Sequence, residues 1–145
     1  MVNKTQVLEI DADRALFEGQ LQGMVLSCHE NERPLQGLAG LLDWHFQGAL
    51  SHGLRAGVLT GREGECAYVP VERAGKTYHL ILVGCGQMES PAKRSKIPAE
   101  SLRTLEKNLR SLKLERVGIS LSDFGGMNEA SLERDLKGVP LWIAK

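Results

Sequence analysis

Tyr78-His79-Leu80-Ile81-Leu82-Val83-Gly84-Cys85-Gly86 is the most telling segment of the sequence. Leu80 through Val83 is an unbroken apolar run with no polar residue to face water. A strand with one wet face alternates polar and apolar residues, whereas a strand covered on both faces does not. The run therefore reads as a central strand of a layered α/β sheet. The glycines after it permit a tight turn where the strand ends.

Residues 66–71 and 77–83 flank Glu72-Arg73-Ala74-Gly75-Lys76, a glycine-containing hairpin loop. Pro70 has no N–H for a ladder, which places its strand at an edge or near a strand end. Residues 5–10 form a short β-type run ended by the polar break Asp11-Ala12-Asp13, and residues 23–27 read as a buried strand. Residues 117–121 and 139–144 supply two more strands. Between them, residues 35–54 carry Leu35, Leu38, Leu42, Phe46, Ala49, Leu50 and Leu54 at helical spacing, widened by Leu41. That pattern predicts one long helix. Gly37, Gly40, Gly48 and Gly53 each weaken it by about 1 kcal/mol relative to Ala, so another backbone is expected to pack closely there. Gly57 is a natural stop.

Pro98 opens a second helix, its fixed φ suiting the first helical position and Glu100 complementing the helix dipole. Leu102, Leu105, Leu109 and Leu112 are its buried stripe, and Glu106 pairs with Arg110 one turn on. Residues 128–136 form a short helix. The alternation predicts a single domain over residues 1–145, an α/β fold with a mixed sheet sandwiched between helices in three layers.

Composition agrees with one ordinary globular domain: 145 residues, 42% apolar and 25% charged. Lys plus Arg (18) equals Asp plus Glu (18), which argues against a nucleic acid partner. Cys28, Cys66 and Cys85 are odd in number and lack CxxC spacing, which suits a reducing compartment. The N-terminal apolar run is cut by Glu9 and Asp11, too short for a signal peptide, and no stretch approaches a membrane span. The expected location is the cytoplasm, with no membrane association.

Two glycine turns are the candidate binding elements. Gly84-Cys85-Gly86 ends the buried strand, and Ser122-Asp123-Phe124-Gly125-Gly126-Met127 links a strand to a helix. In open α/β sheets ligands bind where strands end and helices begin, because backbone N–H groups and the helix dipole there favour phosphate. Gly84, Gly86, Asp123, Gly125 and Gly126 are thus candidate phosphate-binding residues. The alternative is structural: glycines allow tight turns and close packing, and neither turn is a GxGxxG or a P-loop.

The remaining chemistry-bearing residues read as structural. His45 and His52 lie two turns apart, unlike the i, i+4 spacing of helical metal pairs. His29 and Cys28 are adjacent and point apart, and His79 begins a strand. Cys85 has no recognisable positive neighbour to activate it and reads as a packing thiol. The basic cluster Lys93-Arg94-Ser95-Lys96 reads as a solvated loop, and Asp11, Asp13, Glu63 and Glu65 as charged loop residues. No catalytic residue, metal site or cofactor is assigned.

The order of these pieces resembles the N-terminal domain of the leucyl (cytosol) aminopeptidase family. Leu41-Leu42-Asp43 followed by Gly48-Ala49-Leu50 resembles its "LD…G.L" helix. Thr60-Gly61-Arg62-Glu63-Gly64-Glu65 resembles its "fkGk.GE" turn, Tyr78 to Gly86 its "vllvGlG" strand and turn, and residues 97–120 the helix and strand that follow. The resemblance covers most of residues 23–121. It implies a fold similar to the macro domain. In the family, peptidase chemistry belongs to a C-terminal domain with two metal ions, and nothing here resembles that domain's NTDAEGR motif. No family catalytic residue maps onto this sequence. The resemblance therefore implies a non-catalytic domain acting through protein contacts, with a protein partner or self-association. The macro likeness implies an alternative, a binding module for ADP-ribose or another phosphate-bearing nucleotide. Macro domains hold the diphosphate with a glycine-bearing loop before a helix, which residues 122–127 loosely resemble. No counterpart of the macro domain's "NAAN" segment is present.

Overall fold

The computed structural model describes residues 6–7, 11–88, 94, 96–125, 128–135 and 141–144. The apolar run forms β4 (Lys76–Gly84), hydrogen-bonded between β2 (Gly23–Cys28) and β3 (Cys66–Arg73). With β1 (Gln6–Val7), β5 (Val117–Ser120) and β6 (Leu141–Ala144), these strands make a six-stranded sheet of order β1-β6-β5-β2-β4-β3. All neighbours are parallel except β3, which runs antiparallel to β4.

The period of two along each strand sorts its side chains into two cores. Met24, Leu26, Leu80 and Leu82 point to one face, where they meet Leu16, Leu42 and Leu50. Val25, Ile81, Val83, Val117 and Ile119 point to the other, against Leu105, Leu109 and Leu132. The first face carries α1 (Ala12–Phe17), α2 (Gly37–His45) and α3 (Ala49–Arg55), and the second carries α4 (Ala99–Leu112) and α5 (Glu129–Asp135). Each fully buried leucine contributes about 1.5–3 kcal/mol to this sandwich. The architecture is the three-layer mixed α/β sheet that the sequence predicts.

Several details differ from the sequence reading. The helix expected over residues 35–54 is two helices, because Gln47 and Gly48 adopt left-handed φ values of 56° and 81° and an α-helix cannot run through them. Leu42, Phe46 and Leu50 still face one core, so the stripe survives the break. The polar break at Asp11-Ala12-Asp13 instead starts α1, which buries Ala12, Ala15 and Leu16 at i, i+3, i+4 spacing. Pro98 stands just before the helix, with φ −61° and ψ 151°, and not inside its first turn. Residues 5, 8–10, 136, 139 and 140, at the margins of expected elements, lie outside the described residues.

The hairpin reverses through Ala74 and Gly75 alone, both at positive φ (53° and 77°), the geometry of a two-residue turn matched to sheet twist. Pro70 sits on the edge strand opposite His79. The His79 amide donates to the Gln22 carbonyl on the far side, so this pair exchanges no bonds and the Pro70 nitrogen faces outward. Among the described residues, no helix is long and apolar enough to cross a membrane.

Candidate functional site

Five parallel strands end on the same side of the sheet, and a cleft of about 370 Å³ opens there. Its walls come from the start of α1 (Asp11, Asp13), the start of α2 (Gly37, Leu38, Leu41), the end of β5 (Ser120) and the following turn (Ser122, Asp123), with Arg94. This is the place where open α/β sheets build sites.

The floor of the cleft is a buried charge network. Leu121–Asp123 is a short 3-10 turn that swings the Asp123 side chain under β2. Its Oδ2 accepts the Ser27 amide and hydroxyl, each at 3.0 Å, and its Oδ1 accepts the Leu38 amide at 3.2 Å. Arg94 places Nε 2.9 Å from the Asp123 carbonyl and 3.4 Å from Oδ1, and Nη1 2.6 Å from Glu32 Oε2. Its Nη2 donates to the Ser27 hydroxyl. His29 lies 3.8 Å from the Glu32 carboxylate.

Burial raises both carboxyls, and their partners decide the outcome. At Glu32, burial is outweighed by the nearby His29 ring and the Arg94 guanidinium, so the carboxyl is held below its ordinary value of 4.5. At Asp123, burial wins over the pull of Arg94 and the Ser27 and Leu38 donors, and the carboxyl is pushed above 3.8. Burial works to lower Arg94, but Glu32 and Asp123 more than offset it and hold the guanidinium charged. Glu32 is its tighter ion-pair partner, at 2.6 Å against 3.4 Å.

The structure separates the candidate turns. Asp123 is in the cleft floor, and Gly125, half-buried, follows it in the same turn. Gly126 lies outside the described residues. Gly84 and Gly86 are covered by the Gly61–Glu65 turn and line neither that cleft nor a second one of about 300 Å³ beside Arg33, Leu54 and Arg55. A Cβ on Gly84 would stand 1.8 Å from the Arg62 carbonyl oxygen, and one on Gly86 3.0 Å from Glu63. Ser101 Oγ donates to the Gly84 carbonyl at 2.5 Å and accepts the Gly64 amide at 2.7 Å.

Arg94 corrects the expectation of a solvated basic loop: its side chain is 13% exposed and bonded to both carboxylates. Lys96 is exposed, and Lys93 and Ser95 lie outside the described residues. Sequence reasoning also missed Ser27 and Glu32. Their partners are 96 and 62 residues away, and no local pattern marks such pairs.

Cys28, Cys85, His45 and His79 are held by packing or hydrogen bonds, and His52 is exposed. Cys85 is buried, its thiol pushed up to about 12 chiefly by burial, and Cys28 is raised to about 11 for the same main reason. His45 packs its ring 4.9 Å from Phe17, and His79 Nδ1 meets the Tyr68 hydroxyl at 2.5 Å. Among the described residues, no three His, Cys, Asp or Glu side chains are grouped to hold a metal ion.

Carboxylates close two of the stretches quoted from the sequence. Asp43 accepts the Leu50 and Ser51 amides at 2.8 and 3.0 Å, capping α3 across the corner that Gly48 turns. Glu65 accepts the Thr60 amide at 2.8 Å and its hydroxyl, closing the glycine turn over β4.

This arrangement of mixed sheet, flanking helices and strand-end cleft defines the macrodomain class of fold. Similar structures include the macrodomain of Mycobacterium tuberculosis DarG (TM-score 0.65, 15% identity, 97% of each chain covered) and that of Thermus aquaticus DarG (0.62, 12%, 97% of each). A mutant of tomato leucine aminopeptidase is similar over all of this chain and 33% of its own (0.64, 16%). The sequence profile of the cytosol aminopeptidase family, N-terminal domain, matches residues 25–136. The chain belongs to that family and carries its N-terminal domain. No curated protein sequence matches it significantly.

Proposed function

We propose that this domain is a non-catalytic module that works through protein contacts, in assembly or regulation, with a protein partner or a second copy of itself. The observation that carries the reading is the outer face of α2. Leu41 and Trp44 lie three residues apart and are 41% and 77% exposed, continuing the half-buried Leu38. An exposed Trp with an apolar neighbour is an interface anchor, since Trp dominates binding energy where it is found at interfaces. Among the described residues of the cleft, by contrast, Arg94 is already bonded to Glu32 and Asp123.

Sedimentation velocity over a concentration series, with pull-down by wild-type and Trp44→Glu chains, tests this. Self-association, or an identified partner retained by wild type and lost by Trp44→Glu, is expected. A chain that stays monomeric and captures nothing sensitive to Trp44→Glu overturns it.

A second reading, binding of ADP-ribose or another phosphate-bearing nucleotide, draws on the fold. One similar structure is Thermosipho africanus DarTG in complex with ADP-ribose (TM-score 0.59, 12% identity, 89% of this chain and 39% of that one). The three carboxylates of Asp11, Asp13 and Asp123 in the cleft work against a diphosphate, so protein contact is the better-supported conclusion.

A further inference from the structure

The donors that meet Asp123 are the kind that bind free oxyanions. Leu38 offers a first-turn amide of α2, Ser27 an amide and a hydroxyl at the end of β2, and Arg94 a guanidinium. Helix N-termini and arginines hold phosphate by the same hydrogen bonds and positive field. Here they converge on the Asp123 carboxylate, 3% exposed, with Arg94 shared between it and Glu32, 2.6 Å away. Gly37 makes the approach possible. It sits at φ +61°, and a Cβ there would stand 2.7 Å from Asp123 Oδ1 and 3.2 Å from the Arg94 guanidinium carbon. Gly37, Leu38, Arg94 and Asp123 themselves line the 370 Å³ cleft, so a small anion has a route to the donors.

We propose that this cradle is an oxyanion site closed by the chain's own Asp123 carboxylate. With Asp123 in place the cradle rejects phosphate groups. Without it, the Leu38 amide, the Ser27 amide and hydroxyl, and Arg94 take an inorganic phosphate or the phosphate of an ester. The inference does not rest on the protein-contact reading: Leu38 and Leu41 border both the cleft and the contact face, but the cradle's donors are a backbone amide, Ser27 and Arg94, and its test leaves Trp44 untouched.

The test is phosphate titration of wild type and Asp123→Ala, by calorimetry and by thermal melting in phosphate against chloride at matched ionic strength. Asp123→Ala is expected to gain saturable phosphate binding at least tenfold tighter than wild type. The gain should vanish in Asp123→Ala/Arg94→Met. A folded Asp123→Ala chain that responds to phosphate as wild type does overturns the proposal, as does wild type binding phosphate equally well. Where Asp123→Ala does not fold in chloride, Asp123→Ser, which keeps an oxygen for Ser27, is read in the same way.

Discussion

Asp43 on α2 holds the Leu50 amide of α3 at 2.8 Å, so a carboxylate from one helix supplies the cap that the next helix lacks. Gly48, the residue preceding α3, has no side chain to do this. Asp43→Ala strands amides at a buried helix start and is expected to cost about 2 kcal/mol. Urea denaturation followed by circular dichroism reads the loss, and Asp43→Asn should recover part of it.

Gly84 and Gly48 are glycines for different reasons, and alanine separates them. At Gly84 a Cβ meets the Arg62 carbonyl at 1.8 Å, whereas at Gly48 nothing lies within 4 Å and only φ +81° is strained. Gly84→Ala should cost about 3 kcal/mol by forcing backbone apart. Gly48→Ala should cost about 1 kcal/mol, the left-handed penalty alone. Equal midpoints for the two variants in urea would refute the distinction.

Arg94 compensates Glu32 and Asp123 together. Arg94→Met leaves two buried carboxylates without their cation and should cost about 3–5 kcal/mol at neutral pH. The pH dependence gives the diagnostic. In wild type, Glu32 is held below 4.5, so its contribution is complete above that value and is lost as pH falls through the depressed one. In Arg94→Met both carboxyls rise. The variant should then regain stability on acidification toward pH 4–5, narrowing its gap to wild type. Thermal melts across that range read the difference.

The thiols of Cys28 and Cys85 are raised from 9.0 to about 11 and about 12, first of all by burial. Both are therefore protonated at pH 8, and iodoacetamide should modify them far more slowly in the native chain than in denaturant. A raised thiol also makes stability complete below pH 9 and drains it as pH climbs toward 11. Alkaline melts of Cys28→Ala and Cys85→Ala should be flatter than wild type over that window.

The layers were legible because burial leaves a periodic trace. Leu80 through Val83 announces a covered strand, and Leu102, Leu105 and Leu109 announce a helix facing the sheet. Glycine was legible as a constraint but ambiguous in kind: Gly48 breaks the helix that leucine spacing joins, whereas Gly40 and Gly53 sit inside helices. The charge network was illegible. Asp123 was picked out by its place between a strand and a helix, but Arg94 looked like one of three cations in a polar loop. Its burial depends on Glu32 and Ser27, brought together only by the fold. Trp44, the anchor of the proposed contact face, was passed over because one aromatic outside a leucine stripe leaves no pattern.

The outward nitrogen of Pro70 bears on the flank of β3 that, among the described residues, no other strand pairs. A passing polypeptide that tries to zip onto that border finds a ring where it needs a proton, so the lattice cannot extend in register past this point. The molecule thus carries a local terminator against fibrous stacking along this border.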